Sequence, residues 1–382
     1  MLWSEYRFDK IPFNDIVRVG QISLLEKDLF CVSWLLGRFC NYKCSYCWPY
    51  ARSDKRDHRP TELVLSTMDE IKRQARARGF GSFHFSFSGG EPTMHPGYLK
   101  LLKHYADDAE NCGYQSLHMT SNLSPGISWL QKYVDATAKL HRVSVTASYH
   151  KEFAVPEKFL EKLIFLQKND VQVTINMVMV PERFEALWQD ALYFHDAGVN
   201  VTLKPQSNPS ATKVVDGYTA DQLHRLRQGM PQRDFTRARV IQESHPRIAR
   251  PKVPKAMVKG PGEPGKEKVP PIYQVELTDG GGKPWYMDQA ERFNAFEFNN
   301  FKGWECSAGF RSIIIREPGG MIKRSYSCND VPLGNIDTGF QLHDHPKVCQ
   351  TGSCVSSADS KIPKRKCGAT LPLWPGDPMK YE

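Results

Sequence analysis

Three cysteines stand close together near the start of the chain, at Cys40, Cys44 and Cys47. The spacing of Cys44 and Cys47 alone suits either half of a zinc site or a redox pair. The third thiol counts against structural zinc, because such a site takes four protein ligands and no fourth Cys or His is close by. Three thiolates around a cubane iron–sulfur cluster would hold three irons and leave the fourth iron open to a small ligand.

A second group of cysteines lies further along the chain, between residues 306 and 354. Together the two groups contain seven of the ten cysteines. In a reducing compartment, clustered thiols are more often ligands of a metal or an iron–sulfur cluster than partners in disulfides. The sequence therefore predicts two metal or cluster sites.

The composition is that of a globular protein, with 382 residues, 40% hydrophobic and 24% charged. We expect no membrane span, because the sequence has no apolar run of about 18 residues or more. The first residues, MLWSEYRFDKIPFND, carry charges where a secretion signal needs an apolar core, so we expect a cytoplasmic protein. The net charge of +9 mildly favours an anionic partner.

Strand-like and helix-like stretches alternate between residues 29 and 206, which predicts a parallel sheet flanked by helices. The six predicted strands lie at 29–36, 83–88, 116–121, 142–148, 171–179 and 200–205. Amphipathic segments predict helices at 66–79, 96–110, 128–140, 156–169 and 181–198, and Ser66 is the predicted N-cap of the first. Six strands are two fewer than a complete eight-stranded barrel has.

The alternation ends at residue 207. A helix at 219–230 and a hairpin at 273–288, turning around Asp279 and Gly280, are predicted beyond it. Between them, residues 245–271 are rich in Pro, Gly and Lys. This segment suits a solvated linker, and its charge also suits a clamp on a nucleic acid or an acidic substrate.

The first cysteine motif occurs together with a glycine-rich motif, SGGEP, at 88–92. The pattern Cys40-x3-Cys44-x2-Cys47 follows the first predicted strand and resembles the signature of the radical S-adenosylmethionine (SAM) superfamily. SGGEP ends the second predicted strand and resembles the SAM-binding motif of that superfamily. The resemblance implies an α/β fold whose core is a partial (β/α)6 TIM-like barrel, with the active site at the carboxyl ends of the strands.

The resemblance also implies the cofactors, a [4Fe–4S] cluster held by the three cysteines and SAM bound to its open iron. Tyr46 would lie nearest the adenine of SAM. Gly89 and Gly90 would let the backbone approach SAM, and Glu91 would pair with its ammonium group. Further SAM-binding candidates lie at or near the ends of later predicted strands, at Ser121, Asn122, Ser148 and Asn176.

The catalytic candidates are Tyr149 and His150, just past the fourth predicted strand, and Lys204 at the end of the sixth. For Lys204 and the SAM-binding candidates at or near the strand ends, packing in the barrel or capping of a loop explains the residue types equally well, and a lone His such as His150 is as often a surface residue. The resemblance implies that a flavodoxin- or ferredoxin-type donor supplies one electron through the cluster. SAM would then be cleaved to methionine and a 5′-deoxyadenosyl radical, which abstracts a hydrogen atom from the substrate.

The later cysteines follow a pattern of GWECSAG, the pair Gly319-Gly320, Cys328 and GNI. This order resembles the SPASM or twitch auxiliary domains of radical SAM enzymes, although the gap from Gly320 to Cys328 is longer than usual. One auxiliary [4Fe–4S] cluster is implied, with four ligands at Cys306, Cys328, Cys349 and Cys354. A structural zinc site would take the same ligands, and Cys367 is a reserve ligand.

The implied domain order is an N-terminal extension (1–28), a radical SAM core (29–210), a basic insert with a hairpin (211–300) and a small α+β auxiliary-cluster domain (301–382). We expect a radical SAM enzyme that rearranges, oxidises or crosslinks a group carried on a macromolecule. That group would be a peptide side chain or a modified base, as in phage-type DNA hypermodification. The alternatives are a small-molecule dehydrogenase of sugar or aminocyclitol type, and a non-catalytic zinc and iron–sulfur protein.

Overall fold

The structure is a computed structural model that describes residues 10–21, 28–56, 58–210, 213–231, 275–287, 293, 296–354 and 356–373. The basic segment predicted at 245–271 lies outside these residues. In the described part the strands are, in chain order, β1 (Ile16–Gln21), β2 (Leu29–Leu35), β3 (Ser82–Ser88), β4 (Gln115–Ser121), β5 (Arg142–Tyr149), β6 (Gln172–Met179), β7 (Asn200–Pro205), β8 (Val275–Asp279), β9 (Pro284–Met287), β10 (Trp304–Cys306), β11 (Ser312–Arg316), β12 (Met321–Lys323), β13 (Gly334–Asn335), β14 (Gly339–Phe340), β15 (Lys347–Val348) and β16 (Lys364–Lys366).

The helices alternate with the strands of the first half of the chain. They are α1 (Thr61–Arg76), α2 (Tyr98–Asp107), α3 (Ile127–Ala136), α4 (Pro156–Lys168), α5 (Phe184–Asp196), α6 (Ala220–Gln228) and the one-turn α7 (Ser357–Ser360), in the described residues. Short 3₁₀ turns occur at Phe13–Asp15, Pro92–Met94, Ala109–Asn111 and Pro181–Arg183.

The predicted start of the first helix is wrong. Helix α1 begins at Thr61, directly after Pro60, whose fixed φ suits the start of a helix. Ser66 lies inside the helix, where its hydroxyl donates a hydrogen bond to the carbonyl oxygen of Leu63. Helix α6 does begin with a capping box, formed by Thr219 and Gln222.

Strands β2 to β7 form a parallel sheet in sequence order, which confirms the six predicted strands and the partial α/β barrel. Successive side chains in each strand alternate between two environments. In β5, for example, Val143, Val145 and Ala147 are buried, whereas Ser144 and Ser148 are only partly buried. The apolar face packs against the helices, and the polar face lines the interior of the barrel.

The barrel sheet has a seventh parallel strand from the C-terminal part of the chain. Strand β11 pairs in parallel with β2, in a register that places Ile313 beside Val32 and Ile315 beside Trp34. Strands β12, β13 and β14 then continue this edge as antiparallel neighbours. Residues beyond 301 therefore contribute to the core of the barrel.

A second, antiparallel sheet joins three distant parts of the chain in the order β15-β10-β16-β1-β8-β9. Strands β8 and β9 are the predicted hairpin around Asp279 and Gly280, which is confirmed. The Arg18 guanidinium on β1 donates to Glu276 and Thr278 on β8. The predicted N-terminal extension, insert and C-terminal region thus share one sheet, and the predicted domain boundaries stay predictions.

None of the helices in the described residues is both long enough and apolar enough to cross a lipid bilayer.

We expect Ile315→Ala to lower the free energy of unfolding by about 2–5 kcal/mol, because Ile315 is fully buried in the core of the barrel. Urea unfolding measures this loss, and Met321→Ala on the exposed side of the next strand is the matched control, expected within about 0.5 kcal/mol of wild type. A neutral Ile315→Ala change would contradict the placement of β11 in the barrel core.

Candidate functional site

The loop that carries Cys40, Cys44 and Cys47 leaves the carboxyl end of β2 and is held back onto itself by Arg38. The Arg38 guanidinium donates to the carbonyl oxygens of Pro49 and Arg52, at 3.3 and 3.0 Å. The backbone at Phe39 forms an isolated bridge with Ser53. These contacts close the loop at its base and leave the three cysteines on its outer part.

The three thiols lie within one another's electrostatic influence. Burial raises the pKa of Cys44 to about 12, and the nearby Cys40 and Cys47 add to the effect. Burial is also the main cause that raises the pKa of Cys40 and of Cys47. The thiols therefore stay protonated at neutral pH until a cationic centre stabilises the thiolates.

Two backbone segments touch at the glycines of SGGEP, and this contact leaves no room for a side chain at either glycine. Gly90 and Glu91 donate their N–H groups to the carbonyl oxygens of Gly37 and Phe39, at 2.9 and 2.8 Å. A Cβ atom on Gly89 would lie 2.3 Å from the Gly37 oxygen, and one on Gly90 would lie 2.1 Å from the Phe39 oxygen. The Cα positions of both glycines thus adjoin the base of the cysteine loop, and their approach to SAM stays a prediction.

Glu91 is almost completely buried, with 2% of its surface exposed. Its Oε1 atom accepts from the backbone N–H and hydroxyl of Thr93 and from the hydroxyl of Ser121. Its Oε2 atom accepts from the backbone N–H of Asn122 at 2.7 Å. Burial raises the pKa of Glu91, and these hydrogen bonds oppose that rise. The carboxylate joins the ends of β3 and β4, and its pairing with a ligand ammonium stays a prediction.

Asn122 connects this carboxylate to the cysteine loop. Its side-chain amide donates to the Oδ1 atom of Asn41 at 3.0 Å and lies 3.8 Å from the Sγ atom of Cys40. The structure thus brings together four of the predicted site residues, Cys40, Glu91, Ser121 and Asn122.

Residues just after β5 hold the outer part of the cysteine loop, a contact that sequence reasoning missed. The backbone N–H of Ser45 donates to the Glu152 carboxylate at 2.9 Å, and the Ser45 hydroxyl donates to the same carboxylate. Arg183 pairs with Glu152 at 2.6 Å. Nearby, the ring of Tyr42 stacks on Phe153 with centroids 4.7 Å apart.

Two of the three catalytic candidates make structural contacts. Tyr149 is buried against the helices, where its hydroxyl donates to Asp190 at 2.9 Å and its ring meets Phe159 and Phe194, so it does not face the barrel interior. His150 Nδ1 lies 2.7 Å from the Tyr46 hydroxyl, and burial lowers its pKa to about 4. His150 therefore positions Tyr46.

The remaining candidates lie on the polar interior face. Ser148 on β5 is directly beside Asn176 on β6, and Asn176 is beside Thr202 on β7. Lys204 follows two residues later on β7, beside Val178. These side chains have no protein partner in the described part of the chain, which leaves them available to a ligand.

Two histidines lie deeper in the interior. His84 Nδ1 is 2.8 Å from the Ser116 hydroxyl, and His118 Nδ1 is 2.8 Å from the Ser144 hydroxyl. Burial, assisted by nearby cations, lowers the pKa of His84 to about 3 and that of His118 to about 4. Both imidazoles are therefore neutral at physiological pH.

The later cysteines come together between the antiparallel sheet and the loop that follows β12. Cys306 ends β10, and Cys349 follows β15, where its N–H donates to the carbonyl oxygen of Trp304 at 2.7 Å. Burial raises the pKa of Cys328 to about 11 and that of Cys354 to about 12, and Cys306 adds to both shifts. Cys367 is exposed, whereas these four are buried.

Two buried cations face the later cysteines. Arg324 pairs with Asp330 at 2.5 Å, and the nearby Cys306 and Cys328 help to raise its pKa. Lys364 donates to the carbonyl oxygens of Asp359, Ser360 and Ile362. This positive surrounding suits an anionic assembly of thiolates.

Comparison with known proteins gives a family match and matches to solved structures. Residues 34–194, which include both sequence motifs, match the model of the Radical SAM superfamily. This part of the chain is similar to the radical SAM domain. Two solved structures are similar to the chain: "Native anSMEcpe with bound AdoMet", and a hexahistidine-tagged form of anSMEcpe, also with bound AdoMet. Each is 14% identical and covers 82% of this chain and 79% of its own, with TM-scores of 0.47 and 0.49.

The similarity of residues 34–194 to that superfamily implies a [4Fe–4S] cluster and SAM as cofactors. Among the described residues, no three His, Cys, Asp or Glu side chains already stand in a metal-ligating arrangement. The donor set nevertheless fits a cluster, because three neighbouring thiols suit iron, and the nearby carboxylates of Glu91 and Glu152 are engaged by other donors. The match ends at residue 194, so the auxiliary cluster domain stays a prediction.

We expect Glu152→Ala to weaken retention of the first cluster on the order of tenfold, because Ser45 and Arg183 lose their shared partner. Iron content and the decay of the visible cluster absorbance under a chelator measure this effect anaerobically. Glu157→Ala, an exposed change on α4, is the matched control. Equal cluster retention in both variants would show that Glu152 does not position the loop.

The free energy of unfolding should fall as the pH is lowered, partly through His118. Its folded pKa of about 4 lies below the value of about 6.5 for an unfolded His, so protons bind more tightly to the unfolded chain. The stability from this group is present above about pH 6.5 and is lost as the pH falls toward about 4.

We therefore expect His118→Gln to lose less stability than wild type when urea unfolding at about pH 7 is compared with that at about pH 5. His104→Gln, at a partly exposed histidine that bonds Asp69 on the surface, should behave as wild type does. Parallel pH profiles for wild type and His118→Gln would exclude a buried neutral imidazole.

Proposed function

We propose that the chain is a radical SAM dehydrogenase of a small, polar, hydroxylated molecule, which binds inside the partial barrel beneath the cysteine loop. The observation that carries this proposal is the interior face itself. Eight side chains there have no protein hydrogen-bond partner in the described residues and are not sealed from solvent: Ser33, Ser86, Thr120, Thr146, Ser148, Thr174, Asn176 and Thr202. Open donors and acceptors of this kind suit a ligand rich in hydroxyl groups.

In this proposal the cofactors bind at the mouth of the barrel, where the carboxyl ends of the strands lie, and the substrate binds in its interior. Cys40, Cys44 and Cys47 would hold the [4Fe–4S] cluster at the mouth, and Asn122 and Glu91 would fix the position of that loop. The cluster and SAM, when bound, supply reductive cleavage of SAM and abstraction of a substrate hydrogen atom. A flavodoxin- or ferredoxin-type donor of the first electron is part of this proposal.

The later cysteines would hold one auxiliary [4Fe–4S] cluster that accepts the second electron of the oxidation. Its place supports this role, because the segment before Cys328 reaches the barrel mouth. The Tyr326 side chain interacts with Ser88 at the carboxyl end of β3, and Cys328 follows two residues later. The buried cations Arg324 and Lys364 would stabilise the added negative charge.

The other expected substrate, a group carried on a macromolecule, depends on the basic segment 245–271. That segment lies outside the described residues. The macromolecular substrate therefore stays a prediction from the sequence.

Two cysteine variants test this function. We expect anaerobic Cys44→Ala, reduced in the presence of SAM, to form no deoxyadenosine, because the first cluster is lost. Cys354→Ala should still cleave SAM, and its iron content should fall from about eight to about four atoms per chain.

Metal and sulfide analysis of the wild type is the control for the later cysteines, because zinc at this site would overturn the auxiliary cluster. Deoxyadenosine formation by Cys44→Ala would overturn the assignment of the loop. With a hydroxylated substrate, the product should be two hydrogens lighter, and an isomer of unchanged mass would refute dehydrogenation.

A further inference from the structure

Within strands β2 to β7, the residues on the interior face of the partial barrel include cations but neither Asp nor Glu. The alternation of β2 to β7 places Arg142 and Lys204 on this face, and none of its positions in these strands is Asp or Glu. Neither cation has a carboxylate partner in the described part of the chain. Unpaired positive charge in a concave polar surface attracts an anionic ligand.

The base of this interior brings together polar side chains from four strands. Cys31, His84, Ser116 and Arg142 lie side by side on four neighbouring strands. The Arg142 Nε atom donates to the side-chain oxygen of Gln172 at 2.8 Å, which leaves its terminal nitrogens without a protein partner in the described residues. Arg142 thus keeps donors for a ligand anion.

The His84 ring is oriented by one nitrogen and open at the other. Its Nδ1 atom is held by Ser116 at 2.8 Å. Its Nε2 atom has no partner in the described part of the chain and is not sealed from solvent. His118, one step further up the barrel, has the same arrangement with Ser144. The two rings therefore present Nε2 atoms to the interior space.

The electrostatic surroundings of these rings are positive as well. Lys361, from the segment after α7, acts on His84, His118 and Cys31, and Arg142 acts on both imidazoles. Apart from the rings themselves, the charged groups that act on the two imidazoles are both cations. In the described residues Arg142 has no carboxylate partner, and the Asp28 carboxylate at the same end of β3 accepts a hydrogen bond from Ser82, so a ligand can supply the opposite charge to Arg142.

We infer that the base of the barrel is a subsite for the anionic group, a phosphate or a carboxylate, of a small hydroxylated substrate. Arg142 and His84 contact the anion, and the hydroxyl side chains above them contact the rest of the molecule. This inference rests on the proposed function, because the same molecule reaches the cysteine loop. His84 and Ser88 are four residues apart on β3, which is about 13 Å along the strand. A ligand whose anion lies at the base beside His84 therefore extends along the strand toward the mouth, with its reacting carbon on that side.

Calorimetric binding to the reconstituted enzyme under anaerobic conditions tests the subsite with three probes: ribose 5-phosphate, glucuronate and uncharged ribose. We expect at least one anionic probe to bind on the order of tenfold or more tightly than ribose. Comparison of ribose 5-phosphate with glucuronate shows whether the subsite prefers a phosphate or a carboxylate. Arg142→Gln and His84→Gln should each remove most of this preference. Arg142→Lys should restore part of it, because the positive charge returns.

Arg73→Gln is the matched control, because Arg73 is an exposed arginine on α1 that pairs only with Glu70 in the described residues. It should bind all three probes as wild type does. Equal affinity of wild type for charged and uncharged probes would overturn the subsite. An undiminished preference in both Arg142→Gln and His84→Gln would overturn it too.

Separate measurements test the anion subsite and the proposed radical SAM function, so one can be wrong while the other holds. Deoxyadenosine formation is measured on the wild type alone, without any probe. If the wild type cleaves SAM but does not prefer an anion, the subsite is wrong and the radical SAM function stands. If it prefers an anion but forms no deoxyadenosine, the function is wrong and the anion subsite stands.

Discussion

The buried carboxylate of Glu91 is the interaction on which the rest of the site depends. A buried charge is costly unless donors surround it, and here the donors come from the turn after β3 and from the end of β4. Because Asn122 both donates to Glu91 and reaches Cys40, the position of the cysteine loop follows from satisfying one carboxylate. The glycines beside Glu91 then bring the two backbones close enough for this contact.

The barrel combines two kinds of surface in the same strands. Its outer face is a continuous apolar core under the helices, which provides most of the stability. Its inner face does not form this apolar core, so polar side chains such as Ser, Thr, Asn and His can occupy it without disturbing the packing under the helices. The chemistry is thereby separated from the fold, and the residues that would select a substrate lie apart from those that hold the cysteine loop.

Local patterns predicted most of the barrel and part of the site. The six strands follow from period-two alternation, and the cysteine and glycine motifs follow from spacing that few other structures need. The same alternation indicates that Tyr149 shares a face with Val143, Val145 and Ala147, so its burial against the helices was readable from the sequence. The position of Tyr149 at the end of the strand, taken alone, does not show which face of the sheet its side chain joins.

Contacts between distant segments were not predictable in this way. Nothing in the residues around Glu152 indicates that it meets Ser45, because a single carboxylate after a strand has many equivalent roles. Strand β11 forms a hairpin with β12 on one edge. Its other edge pairs with β2 in the barrel. Pairing between distant strands depends on which strand edges the rest of the sheet leaves open, and a local sequence pattern does not indicate these edges.

The pairing of β2 with β11 has a consequence for biosynthesis. The two strands are separated by about 280 residues, and a ribosome adds about 5–20 residues per second. For roughly 15–60 s, therefore, the sequence LFCVSWL has a neighbour on one side only. An apolar strand with a bare edge is a template for pairing with another nascent chain. Strand β2 is the first barrel strand to be made, and its second edge is covered only after β11 has been made.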